Sequence, residues 1–185
     1  MRERTYTIRR AFTIIELLVV ISIIIILAGL TLSTVGYMQK KGARSRAEAE
    51  IAAISAALES YKADNGIYPR DTIKTDQVDP AISPIPTTAT QFLYEQLSGN
   101  SATNLQPISG AKSYFAFKPQ MLFGTKDSSG NLTSVSYIRD PFGNSYGYST
   151  LKASGGTGGY NPTFDLWSIA DDSSGTNQIK WIKNW

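Results

Sequence analysis

Residues 11–32 read AFTIIELLVVISIIIILAGLTL, an apolar run that contains a single carboxylate, Glu16. An apolar helix of about 20 residues is long enough to cross the hydrocarbon core of a bilayer. A charged side chain inside such a segment is costly, so it persists mainly where a partner or a function compensates for it. The run therefore predicts one membrane-spanning helix and makes Glu16 the first candidate functional residue.

Basic residues flank the apolar run on both sides. The first eleven residues hold four arginines and one glutamate, and a basic collar beyond the run is formed by Lys40, Lys41, Arg44 and Arg46. Four basic residues on each side do not decide the orientation, but those of the leader lie closer to the run. A long C-terminal domain can cross the membrane regardless of its charge, which favours an inside N-terminus. A secretory signal peptide fits less well, because no small-x-small cleavage site follows the run.

The composition restricts the chemistry of the 185-residue chain. It has no cysteine and no histidine, which excludes disulfides, thiolate metal sites and the commonest general base. From Ala47 onward there are 10 basic and 13 acidic side chains, so this part lacks the basic surface that nucleic acids require. No phosphate-binding Gly-x-x-x-x-Gly-Lys-Ser/Thr loop is present either. We expect no catalysis and no nucleic-acid or nucleotide ligand.

A helical pattern continues beyond the apolar run. No proline precedes Pro69, and apolar residues recur at spacings of four, three, four and three along a stripe formed by Ala47, Ile51, Ile54, Leu58 and Tyr61. This spacing is typical of one face of an amphipathic helix. Asn65-Gly66 supplies a glycine suited to the left-handed end of a helix. We predict one helix from Phe12 to about Asp64, roughly 80 Å long, apolar on all sides in its first half and amphipathic in its second.

The remaining sequence predicts loops and short strands. Residues 67–110 are rich in Pro, Thr, Asp and Ser and predict a variable loop with a short helix at 90–97. Strand-prone runs follow at residues 113–117, 132–138, 145–150, 163–169 and 178–182, separated by turn sequences. A long helix followed by such strands indicates an α+β fold, with a small antiparallel β-sheet at 112–185 packed on the amphipathic half of the helix.

The N-terminal motif resembles a known processing signal. Residues 9–20, RRAFTIIELLVV, are similar to the motif of type IV pilins and type II secretion pseudopilins, which share a pilin-like fold. The resemblance implies that a prepilin peptidase cuts between Ala11 and Phe12 and methylates the new amine of Phe12. The family usually has glycine where this chain has Ala11. On this basis residues 1–11 are a cleaved leader, 12–36 a transmembrane and filament-core helix, and 37–185 a pilin-like globular domain.

The resemblance gives Glu16 a role in assembly. In a mature chain its carboxylate would lie four residues from the cationic amine of Phe12. Pairing with the amine of a neighbouring copy would neutralise two charges in a low-dielectric region and set an axial register between subunits. A head-to-tail contact that does not close into a ring builds a helical filament. The alternative is a carboxylate that reaches back to the membrane interface.

The C-terminal part resembles the major pseudopilin branch of this superfamily. The similarity lies in residues 140–144 (DPFGN), 164–168 (FDLWS) and 182–185 (IKNW). Major pseudopilins often hold calcium in the loop before the last strand, and Asp171 and Asp172 lie where the first acidic ligand would be. The family's second acid is absent, Lys180 is nearby, and only Asn177 could substitute. We expect no required cofactor and consider calcium at Asp171, Asp172 and Asn177.

The resemblance implies a structural subunit of a type II secretion pseudopilus. Such a subunit is a single-pass protein of the bacterial inner membrane, with a cytoplasmic N-terminus and a periplasmic domain. Its partners would be further copies of itself, minor pseudopilins, the prepilin peptidase and an assembly platform with a cytoplasmic ATPase. A type IV pilin for adhesion, motility or DNA uptake is the alternative within the superfamily. A signal-anchored exported enzyme or binding domain is the alternative from another class.

Overall fold

The computed structural model describes residues 12–81, 85–172 and 174–185, with the backbone alone for residues 32–34. The chain divides into two units, residues 1–41 and 42–185. Two α-helices are assigned, α1 (Ile14–Asn65) and α2 (Thr87–Ser98), and a short 3-10 helix spans Pro119–Met121. Five short strands follow, namely β1 (Leu122–Phe123), β2 (Tyr137–Ile138), β3 (Gly147–Ser149), β4 (Asp165–Ser168) and β5 (Ile182–Lys183). The α+β fold predicted from the sequence is confirmed.

The first unit is the apolar part of helix α1. Its large apolar side chains are all exposed where the structure describes them, and the segment is long and apolar enough to cross a membrane. Polar side chains within it are satisfied locally, because the Ser22 hydroxyl donates to the Leu18 carbonyl at 2.8 Å and the Thr31 hydroxyl to that of Leu27 at 3.1 Å. Because of this back-bonding, neither hydroxyl donor would need water if the segment lay in a bilayer.

The second unit is built on the amphipathic end of helix α1. The predicted stripe is confirmed, since Ala47, Ile51, Ile54 and Leu58 are at most 5% exposed and Tyr61 is half-buried. The helix ends as predicted near Gly66, whose φ is +79° and whose N–H donates to the Lys62 carbonyl at 2.7 Å. This conformation is one that glycine adopts without strain.

The strands form two antiparallel sheets. Strands β1 and β2 make a two-stranded sheet, and β3, β4 and β5 make a three-stranded sheet with β4 in the centre. Helix α2 lies against β2 and β3. Gly147 pairs with Trp167 across β3 and β4, and a Cβ at Gly147 would overlap the Trp167 indole. Glycine is therefore required here by close packing.

Three strand predictions need correction. Residues 113–117 form no strand, because the Tyr114 and Phe115 N–H groups both donate to the Leu97 carbonyl, at 2.7 and 2.9 Å, and the aromatic rings pack on one another instead. Of residues 132–138 only the final pair belongs to a strand. Residues 177–180 form a turn, so the last strand begins at Ile182. The predicted short helix at 90–97 is confirmed as part of α2.

Candidate functional site: the start of the long helix and the C-terminal segments

Thr13 and Glu16 form a capping box at the start of helix α1. The Glu16 Oε2 atom accepts hydrogen bonds from the Thr13 N–H at 2.9 Å and the Thr13 hydroxyl at 2.7 Å. The Glu16 N–H donates in return to the Thr13 Oγ1 at 3.3 Å. Such reciprocal bonds satisfy backbone donors that a helix start leaves without partners, and a carboxylate there also interacts favourably with the helix dipole. The carboxylate is held at the peptide bond that joins Phe12 to Thr13.

The capping box adds an explanation that the sequence prediction missed. A Thr-x-x-Glu pattern is itself the signature of this motif, so residues 13–16 alone could have indicated the cap. Part of its cost is therefore compensated within its own chain. Phe12 is 83% exposed, whereas Ala11 lies outside the described residues. Cleavage and methylation at Ala11 and Phe12 stay predictions, as does the assembly role of Glu16.

The segment at residues 140–144 is folded around a buried carboxylate. The Asp140 Oδ1 atom accepts from the N–H groups of Phe142 at 3.0 Å and Asn144 at 2.8 Å, and Oδ2 accepts from the Ser168 hydroxyl at 2.5 Å. Burial is the main cause that raises the pKa of Asp140. The Asn144 side chain donates to the Ala170 carbonyl at 2.8 Å. This turn is thereby joined to strand β4 and to the residues just after it.

The third segment is joined to the same strand. The Asn184 side chain accepts from the Leu166 N–H at 2.9 Å and donates to the Phe164 carbonyl at 3.1 Å. At the start of β4, the Asp165 carboxylate accepts from the N–H groups of Tyr160 at 2.9 Å and Asn161 at 2.8 Å. The three segments that carry the sequence similarity, at 140–144, 164–168 and 182–185, therefore meet at β4.

The loop between β4 and β5 is organised by Asp172. This residue is 5% exposed, and its Oδ1 atom accepts from the Ser174 hydroxyl at 2.6 Å. Its Oδ2 atom accepts from the Asn177 N–H at 2.7 Å and from the Trp181 indole N–H at 3.2 Å. These bonds, above all the one from Ser174, lower the pKa of Asp172 to about 2. Asp171, by contrast, is an exposed residue.

Curated relatives are similar to this chain over different lengths. It is 29% identical to "Type II secretion system core protein G" of Pectobacterium carotovorum subsp. carotovorum over 131 residues, which cover 66% of this chain and 84% of that protein. Proteins of the same name from Klebsiella michiganensis and Escherichia coli strain K12 are each 39% identical over 61 residues. Those shorter alignments cover 33% of this chain and less than half of each relative. Neither a family model nor a solved structure matches the chain.

The first of these relatives is matched over most of its length, and the fold has the long apolar helix and small antiparallel sheets that the resemblance implied. The chain is similar to a type II secretion core protein G over most of that protein's length. Helix α1 is the part of the described chain that is long and apolar enough to span a membrane.

The residues predicted as calcium ligands do not combine into a suitable site. Calcium takes six to eight oxygen ligands, usually with more than one carboxylate. Among the residues that the structure describes, no group of three Asp, Glu, His or Cys side chains could hold a metal. Asn177 presents its N–H to Asp172, and both oxygens of Asp172 already accept hydrogen bonds. Calcium binding at Asp171, Asp172 and Asn177 stays a prediction. The oxygen atoms of these residues do not form the set of ligands that calcium requires.

Proposed function

We propose that this chain is a structural subunit of a type II secretion pseudopilus, which polymerises from the inner membrane into a helical filament that helps drive protein export. The observation that carries the proposal is the similarity over 84% of the length of a type II secretion core protein G. The meeting of the three C-terminal segments at β4 supports it, because these segments are the ones that resemble the major pseudopilin. No catalytic step is assigned to the chain.

The proposal places the subunit in the bacterial inner membrane before assembly. The apolar part of helix α1 would cross the bilayer once, with the N-terminus in the cytoplasm and residues 42–185 outside. Its exposed apolar side chains and locally bonded hydroxyls support this arrangement. A prepilin peptidase would remove residues 1–11 and methylate the amine of Phe12.

In the proposed filament, Glu16 contacts the Phe12 amine of a neighbouring copy. The capping box is compatible with this role, because both of its bonds to the carboxylate end on Oε2, which leaves Oε1 for the amine of a neighbouring copy. Removing one member of a buried ion pair costs roughly 3–5 kcal/mol, since the other charge is left without a partner. Further copies, minor pseudopilins and an assembly platform with a cytoplasmic ATPase would be the partners. The ATPase supplies the energy, because the chain has no nucleotide-binding loop.

The test uses the full chain expressed with a type II secretion platform and prepilin peptidase. We expect the intact mass of a chain that starts at methylated Phe12, and crosslinks in native membranes to the secretion platform and to further copies. Long fibres on the cell surface, with crosslinks to a pilus secretin, would instead support the alternative type IV pilin. An unprocessed chain that starts at Met1 and forms no polymer would support a plain signal anchor and overturn the proposal.

A further inference from the structure

The loop between β4 and β5 contains many oxygen atoms, and several of them, including both carboxylate oxygens of Asp172, already accept hydrogen bonds from the protein. The Asp172 carboxylate has three donors, from Ser174, Asn177 and Trp181. Some backbone carbonyls of the loop also accept hydrogen bonds, namely those of Ile169, Ala170, Asp172, Asn177 and Lys180. Since calcium binding needs six or more oxygens turned toward one point, these bonds compete with a cation for the same atoms.

An arginine of helix α1 also contacts this loop. The Arg44 guanidinium, on helix α1, donates to the Lys180 carbonyl at 2.8 Å. The Lys180 N–H donates in turn to the Asn177 carbonyl at 3.0 Å, which closes the turn before β5. The loop is therefore joined to helix α1 by the Arg44 side chain, which also pairs with Glu48 at 3.4 Å.

Trp181 connects the loop to the core. Its indole N–H donates to Asp172, and its ring stacks on that of Trp167 with centroids 6.3 Å apart and an interplanar angle of 10°. Trp181 is 4% exposed and Trp167 is fully buried. A buried carboxylate without hydrogen-bond donors would strongly destabilise the fold. The three donors to Asp172 therefore stabilise this conformation of the loop.

We propose that Asp172 closes this loop as a hydrogen-bond acceptor for its own chain, in the place where relatives are expected to hold calcium, so that the folded domain needs no divalent cation. The inference concerns the stability of residues 42–185. It holds whether the chain builds a secretion pseudopilus or another filament, so its failure and that of the proposed function can be told apart.

The test measures thermal unfolding of the full chain in detergent micelles, by tryptophan fluorescence, with chelator or with millimolar calcium or magnesium. We expect the same midpoint for the wild type under all three conditions. Asp172→Asn should lower the midpoint by roughly 5 °C, equally with chelator and with calcium, because its amide cannot accept all three bonds. Trp181→Phe removes one donor, keeps an aromatic ring and should give a smaller decrease. It also provides a readout if Asp172→Asn does not fold.

The matched control is Asp171→Asn, which makes the same change of charge one residue away on an exposed side chain. Its effect on the midpoint should be smaller than that of Asp172→Asn and the same in chelator and in calcium. The proposal is overturned if chelator lowers the midpoint of the wild type and calcium restores it. It is also overturned if titration calorimetry shows saturable calcium binding, or if Asp171→Asn destabilises as much as Asp172→Asn.

Discussion

The hydroxyl of Ser168 donates to the carboxylate of Asp140 at 2.5 Å, across 28 residues of sequence. Both residues are at most 3% exposed, so this bond joins a buried turn to the central strand of the three-stranded sheet. The Ser168 hydroxyl also accepts from the Ala170 N–H at 2.9 Å. One side chain thereby holds the turn at 140–144 and the start of the β4–β5 loop.

Ser168→Ala should lower the free energy of unfolding by about 1–3 kcal/mol, because it leaves a buried carboxylate and a buried N–H each without one partner. Urea unfolding of the full chain in micelles measures the change. Ser60→Ala is the control, because the Ser60 hydroxyl is exposed and donates only to its own helix, to the Ala56 carbonyl. Equal effects of the two substitutions would show that the Asp140–Ser168 bond contributes nothing specific.

Asp172→Asn should destabilise the chain in a pH-dependent way. The pKa of Asp172 is about 2 in the folded chain and 3.8 in the reference state, so its charged form stabilises the fold above pH 3.8. This contribution is lost as the pH falls from 3.8 toward 2. The difference in unfolding free energy between wild type and Asp172→Asn should thus be constant near neutral pH and shrink in acid. A difference that stays the same down to pH 2 would exclude a role for the charge.

Two substitutions at the start of helix α1 should separate capping from assembly. Glu16→Gln keeps an acceptor for the Thr13 N–H but removes the charge, so it should abolish filament assembly while the helix start stays intact. Thr13→Ala keeps the charge but removes the cap, at a cost of about 1 kcal/mol, and should still assemble. Filament yield by electron microscopy and helix content by circular dichroism measure the two effects. Normal filaments from Glu16→Gln would refute the ion pair with Phe12.

Two glycine substitutions should have opposite signs. Gly147→Ala places a Cβ against the Trp167 indole, and overpacking of this kind costs about 1–3 kcal/mol. Gly42→Ala lies within helix α1, with no atom within 4 Å of the new Cβ, and should stabilise by about 0.5–1 kcal/mol. Thermal unfolding of both variants measures the contrast. If Gly147→Ala left the unfolding temperature unchanged, this would show that β3 and β4 can move apart without a loss of stability.

The sequence predicted the parts of this fold that periodicity controls. The stripe from Ala47 to Leu58 is buried because its spacing puts those side chains on one helix face. The run at 113–117 has the composition of a strand, but the N–H groups of Tyr114 and Phe115 both bond to the Leu97 carbonyl. Strand propensity describes fit to a partly buried surface, which an aromatic segment packed on helices also provides.

The candidate site residues could likewise be predicted only in part, because residue type and spacing do not show which partners a side chain finds. Glu16 could be selected because a carboxylate in an apolar run is costly, but its bond partner is the neighbouring Thr13, which a search for long-range roles overlooks. Asp172 could be selected as a candidate calcium ligand because it is an acidic residue in a loop. Whether its oxygens meet a cation or N–H groups depends on how the loop turns, and residue types alone do not determine that.

The central position of β4 has a consequence for the order of folding. Strand β4 pairs with β3 before it and β5 after it, and Asn184 bonds to both Leu166 and Phe164. During synthesis, helix α1 emerges long before residues 182–184, so β4 has an open edge until those residues follow. In the topology proposed above, the sheet would be completed only after residues 182–184 had crossed the membrane. Until then the chain would have an unpaired strand edge, the feature by which partly folded chains aggregate.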